Sequence, residues 1–170
     1  MTELPRKEDK SLSESTFTSN IVSPLLRTIL KVNERILVEF PNTESQTRKK
    51  QGLKPDRPDI VVKVRGVEML FGEISGPRQD TTESKEAWDR NRLARFGKCV
   101  LDDGHFKSVL LHNVNGEGTY LELTPQTRGV YLLDEVGYFR VPTAISSLAS
   151  HVVALTFMLF LLNQFIKTLR

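Results

Sequence analysis

The stretch Pro58–Ser75, PDIVVKVRGVEMLFGEIS, decides how this chain is read. It holds two short apolar runs, the first rich in β-branched residues, with Arg65–Gly66 between them at a plausible turn. That pattern predicts two neighbouring strands. A carboxylate stands at each end, Asp59 and Glu73. Strand side chains alternate faces, so Asp59, Val61 and Lys63 share one face of the first strand and Glu73 and Ser75 share one face of the second. Whether the two faces coincide depends on the loop. A loop Val64–Arg65–Gly66 sets Asp59 opposite Phe71, one same-face step from Glu73. A loop Arg65–Gly66–Val67 sets Asp59 directly opposite Glu73. A two-residue loop Arg65–Gly66 separates the carboxylates onto opposite faces. Glycine at the third loop position favours the first arrangement.

Two convergent carboxylates suit a hard cation such as Mg²⁺, which takes oxygen ligands, keeps several waters and accepts phosphate oxygens. Such an ion polarises a phosphodiester and lowers the pKa of a bound water. A lysine two residues beyond Glu73 would assist, but that position holds Ser75, whose hydroxyl is short and neutral. The alternative for Asp59 and Glu73 is a strand start and a single rim or buried acid with a basic partner.

Outward from the hairpin, residues 1–19 are polar and read as a disordered arm, with a domain over 20–170. Leu26, Ile29, Leu30, Ile36 and Leu37 recur at helical spacing and predict a helix over roughly 22–39, with Glu34 and Glu39 in its C-terminal half. Residues 41–58 carry Arg48, Lys49, Lys50, Lys54 and Arg57 between prolines. They read as a solvated loop, or as a basic strap over a phosphate backbone. Asp80 and Glu83 resemble a capping box opening a helix to about Leu101. Trp88, Leu93, Phe96 and Val100 form its apolar contacts. Lys85, Asp89 and Arg92 share another face, and Lys98 reads as a solvated charge. Four short runs over 106–141, parted by glycine turns at 116–118, 129 and 137, predict an antiparallel meander. Pro142 opens a final helix. The order is that of an α+β fold with a mixed, mainly antiparallel sheet flanked by helices.

The 170 residues suffice for one domain with a core. A charge of +3 and a pI near 9.1 permit a polyanionic partner without demanding one. The single Cys99 precludes an internal disulfide framework and suits a reducing, intracellular setting. His105, His112 and His151 show no zinc-ligand spacing. No secretory signal is visible in the first twenty residues. Val152–Leu162 is apolar but shorter than the roughly 20 residues of a spanning helix, which favours a buried C-terminal helix over a membrane anchor at 145–166.

The hairpin, followed by KEAWDRNRLARFGKCVLDD from Lys85, resembles the PD-(D/E)XK nuclease-like superfamily, in particular a group of uncharacterised fungal proteins with a PD…GE hairpin and a K…D…K helix. The resemblance spans roughly residues 21–168, and the hairpin and following helix are its specific part. It implies a restriction-endonuclease-like core, with Asp59 and Glu73 as metal ligands and Glu34 or Glu39 of the first helix as a third acid. It implies Mg-dependent hydrolysis of nucleic acid. Ser75 departs from the pattern, and Lys85 is the first candidate to supply the missing ammonium. Without such a replacement, the chain is a non-enzymatic interaction or scaffold protein retaining the fold.

Overall fold

A computed structural model of the chain describes residues 12–30, 36–40, 43–76, 82–105, 108–114 and 117–141. Ser13 caps helix α1 (Glu14–Phe17) by accepting from the Thr16 amide. A π-helical turn, Thr18–Val22, leads without a break into α2 (Ser23–Leu30). Strand β1 is Ile36–Glu39, and Ser45 caps the short α3, Gln46–Lys50. Strands β2 (Ile60–Val64) and β3 (Val67–Ser75) form the hairpin. Helix α4 (Glu83–Asp102) then crosses to β4 (Ser108–Val114), which is followed by β5 (Glu117–Thr127) and β6 (Val130–Arg140).

The six strands make one sheet in chain order, antiparallel except for β3 and β4, which run parallel because α4 connects them. The fold is therefore α+β, with a mainly antiparallel sheet flanked by helices. Alternation along the strands feeds two cores. Ile60, Val62, Leu70 and Ile74 meet Phe17, Ile21, Val22 and Leu26 of the N-terminal helices on one face. Val61, Met69, Phe71 and Leu110 meet Leu93, Phe96 and Val100 of α4 on the other. Phe71 stacks on Phe96 with ring centroids 5.1 Å apart.

Several expectations are corrected. The arm expected over 1–19 is helical from Glu14, Phe17 is wholly buried, and the helices run through the boundary drawn at residue 20. The helix expected over 22–39 ends at Leu30 among the described residues, and Ile36–Glu39 is a strand. There Ile36 and Val38 alternate with Leu37 and Glu39 in register with β2, and pairing overrides the helical spacing. The loop expected over 41–58 contains α3. Buried Glu68 holds that helix by accepting from Ser45 Oγ at 2.7 Å and from the Gln46 and Thr47 amides at 2.9 and 3.0 Å. Arg48 is buried over the Phe96 ring rather than solvated. The two last runs of the meander are one strand, β6. Gly137 pairs with Tyr120 inside it, and an extra residue, Val136, is accommodated beside that pair. Trp88, expected as an apolar contact, is exposed. Thr82, not Asp80, caps α4. The final helix expected after Pro142 and the candidate acid Glu34 lie outside the described residues. Among the described residues, no helix is long and apolar enough to cross a membrane.

Candidate carboxylate site at the end of the hairpin

The hairpin turn is the two-residue loop Arg65–Gly66, with Val64 paired to Val67. Both turn residues have positive φ, 52° and 84°, as a type I′ turn requires. Taken alone, this loop would put Asp59 and Glu73 on opposite faces. The register then shifts between Val62 and Lys63: Lys63 pairs with Glu68 but Val62 pairs with Leu70, leaving Met69 as an extra residue. Beyond this bulge Val61 pairs with Phe71 and Ile60 with Gly72. The shift undoes the effect of the short turn, and Asp59 and Glu73 come together on the α4 side. The three-residue loop is thus the wrong turn, but the shared face it predicted is present.

Asp59 stands just before β2, tied to the partner strand by its amide to the Gly72 carbonyl (3.0 Å) and by Oδ2, which accepts from the Ile74 amide at 2.8 Å. The neighbouring Glu73 carboxyl also favours the ionised form of Asp59. Glu73 is only 3% exposed. Burial first, and then the Asp59 charge, push the Glu73 carboxyl up to about 9 despite the opposing pull of Arg92. Asp59 is also raised, chiefly by burial, although the Ile74 amide and Arg92 pull it down. At neutral pH Glu73 therefore keeps its proton.

Three side chains of α4, one or two turns apart, face this pair. Lys85 donates from Nζ to Ser75 Oγ at 3.0 Å, bringing an ammonium beside the strand position where Ser75 lacks one. Ser75 in turn bonds the Asp89 carboxylate, whose affinity for its proton is raised by burial and lowered by Lys85 and Arg92. Arg92 donates from one Nη to Glu73 Oε2 at 2.6 Å and from Nε to Asp56 at 3.0 Å, and its other Nη bonds the Arg57 carbonyl. Sequence spacing placed Arg92 on the face of Lys85 but gave it no role.

Two further groups were not foreseen. His112 lies beside Glu73 in the parallel register of β3 and β4. It is buried, and its Nε2 stands 4.0 Å from Asp89 with no hydrogen-bond partner among the described residues. Burial, then the charge of Arg90, keep this imidazole neutral to lower pH than usual. The alternation of β4 could have placed it, but no metal-ligand spacing drew attention to it. The other group is Glu14 of α1. Its carboxyl is raised by burial and by Asp59, and lowered by Lys85 and the Gly76 amide. A Cβ on Gly76 would lie 2.8 Å from the Glu14 Cα, so glycine at the end of β3 lets α1 approach. The expected third acid, Glu39, is instead on β1 and pairs with Lys63 at 2.6 Å.

The donor set is all oxygen, and Glu73 Oε1 is buried without a hydrogen-bond partner among the described residues. Those features fit a hard cation. Against a cage built of protein alone, no group of three or more His, Cys, Asp or Glu side chains among the described residues is arranged to hold a metal ion. Two carboxylates plus waters and substrate phosphate remain sufficient for Mg²⁺. No protein-family model, curated protein or solved structure matches this chain.

Proposed function

We propose that the chain is a PD-(D/E)XK nuclease-like protein with a restriction-endonuclease-like core, hydrolysing nucleic-acid phosphodiesters with a divalent cation inside the cell. The observation that carries the reading is the 3.0 Å contact of Lys85 Nζ with Ser75 Oγ beside the Asp59–Glu73 pair. An ammonium from α4 there supplies what Ser75 cannot. Asp59 and Glu73 would hold Mg²⁺, which when bound supplies charge for the phosphate and acidifies a water. The remaining roles belong to the chain. The Ile74 amide fixes the orientation of Asp59. Ser75 anchors Lys85, whose ammonium would place positive charge beside the substrate phosphate. Glu73 would serve as a ligand in its ionised form, its proton released to solvent.

A second reading rests on Arg92. Its guanidinium already occupies Glu73 Oε2 at 2.6 Å, as a permanent partner would in a scaffold that keeps the fold without chemistry. Calorimetric Mg²⁺ titration and cleavage of labelled single- and double-stranded DNA and RNA separate the two. The catalytic reading expects Mg²⁺-dependent cleavage. Lys85→Ala should slow it strongly with metal affinity nearly unchanged, and Asp59→Ala should abolish both. A silent wild type that gains activity as Ser75→Lys would establish the scaffold reading instead.

A further inference from the structure

Helix α4 buries Leu93, Phe96 and Val100 and turns Lys85, Asp89 and Arg92 to the carboxylates. At about 100° per residue, positions 88, 92, 95 and 99 form one flank beside that buried face. The loop from α3 to β2 lies along this flank. Arg92 grips Asp56 and the Arg57 carbonyl, and Gln51 Nε2 donates to the Cys99 carbonyl at 2.8 Å.

Trp88, the chain's single tryptophan, stands on this flank 61% exposed. The Arg95 guanidinium lies 5.4 Å from its ring centroid. Its helical neighbours three and four residues away are Ser84, Lys85, Asn91 and Arg92, with no acid among them, and Lys85 and Arg92 are engaged at the carboxylate site. The end of α3 adds the exposed Lys49 and Lys50, and the adjoining loop the exposed Lys54 and Arg57. Glu83 and Glu86 project from other sides of the helix. An aromatic ring bordered by cations offers a π-face to a base and charge to its phosphates.

We propose that Trp88 and Arg95 form a stacking platform for an unpaired nucleobase, and that the substrate is a single-stranded stretch whose backbone runs over Lys54 and Arg57. This inference rests on the nuclease reading for the chemistry next to it and names the form of the substrate. A duplex keeps its base faces stacked on one another and leaves Trp88 nothing to cover. Stacking tolerates any base, so the platform selects strandedness rather than sequence.

The test uses the full chain in EDTA, where nothing is cleaved, and reads the fluorescence of Trp88 during titration with a twelve-nucleotide single strand, its duplex and an abasic strand of equal length. The single strand should quench saturably, and the duplex and abasic strand much less. By anisotropy of a labelled strand, Trp88→Leu should weaken binding roughly tenfold or more, and Trp88→Phe less. Arg57→Ala should weaken intact and abasic strands alike and flatten the salt dependence by about 0.7 in log–log slope. Equal binding of intact and abasic strands, or unchanged Trp88 emission, overturns the proposal. So does quenching by an acidic peptide but not by the oligonucleotide. Quenching without any Mg²⁺-dependent cleavage would refute the catalytic reading and leave the platform standing. Cleavage with unquenched Trp88 would do the reverse.

Discussion

Replacing Glu73 by Gln should make the metal-free protein less sensitive to alkali. The native Glu73 carboxyl titrates near 9, against 4.5 for the unperturbed group. Between these values the folded chain holds a proton that the unfolded chain has released, so stability falls as pH rises. Its contribution is fully present below the unfolded value and is lost as pH rises through the folded one. Each unit is worth about 1.4 kcal/mol, so the loss between pH 5 and pH 8 reaches about 4 kcal/mol at most. Glutamine copies the protonated acid in shape and charge and removes this slope. Asp59, Asp89 and Glu14 are shifted in the same direction, so some slope survives in the variant, and the difference between the two curves isolates Glu73. Urea unfolding in EDTA at several pH values measures both curves. Parallel curves for wild type and Glu73→Gln would refute the argument, because they would mean that Arg92 already holds Glu73 ionised throughout.

Three further substitutions test the architecture that positions the site. Phe17→Ala, at a fully buried ring, should cost about 3–5 kcal/mol in urea unfolding, as a core element and not an arm would. Gly76→Ala drives a methyl against the Glu14 backbone and should destabilise by about 1–3 kcal/mol, measured the same way. Arg65→Asn places a residue suited to positive φ at the first turn position and should raise stability by about 1 kcal/mol, seen as a higher urea midpoint.

The hairpin strands and the long helix were legible because their signals are strong: β-branched runs, a glycine turn and a periodic twenty-residue helix. The register of the hairpin was not. The turn follows from local chemistry, since Arg65–Gly66 accepts two positive φ values, but the bulge at Met69 has no local signature. It is selected by packing, because it sends Phe71 to the α4 layer, where it stacks on Phe96, and carries Glu73 along with it. Ile36–Glu39 failed for a related reason. A short apolar run satisfies helical and alternating periods alike, and the β2 edge decides between them. Composition misled for residues 12–19, where a single buried phenylalanine and a serine cap suffice to dock a turn of helix on an existing core.

The charged groups show how far spacing along the chain can stand for position in space. Ser75 breaks the motif when the strand is read alone, yet Lys85 reaches its hydroxyl from ten residues further on, in another element. Glu39 has the right chemistry for a third acid but is turned to Lys63, whereas Glu14 feels the charge of Asp59 from a segment whose composition suggested no structure. Arg92 is the group that decides between the two functional readings. Held by Asp56 and the Arg57 carbonyl as well as by Glu73, it need not leave the site when a cation takes the carboxylate. Two anchors would remain, and in the catalytic reading the freed Nη would be available to a substrate phosphate. A scaffold gains nothing from that arrangement beyond a partner for a buried acid, whereas an enzyme gains a second positive group at the phosphate. Arg92→Ala therefore separates them: tighter Mg²⁺ binding with slower cleavage marks an enzyme. Tighter Mg²⁺ binding with no cleavage before or after marks the scaffold.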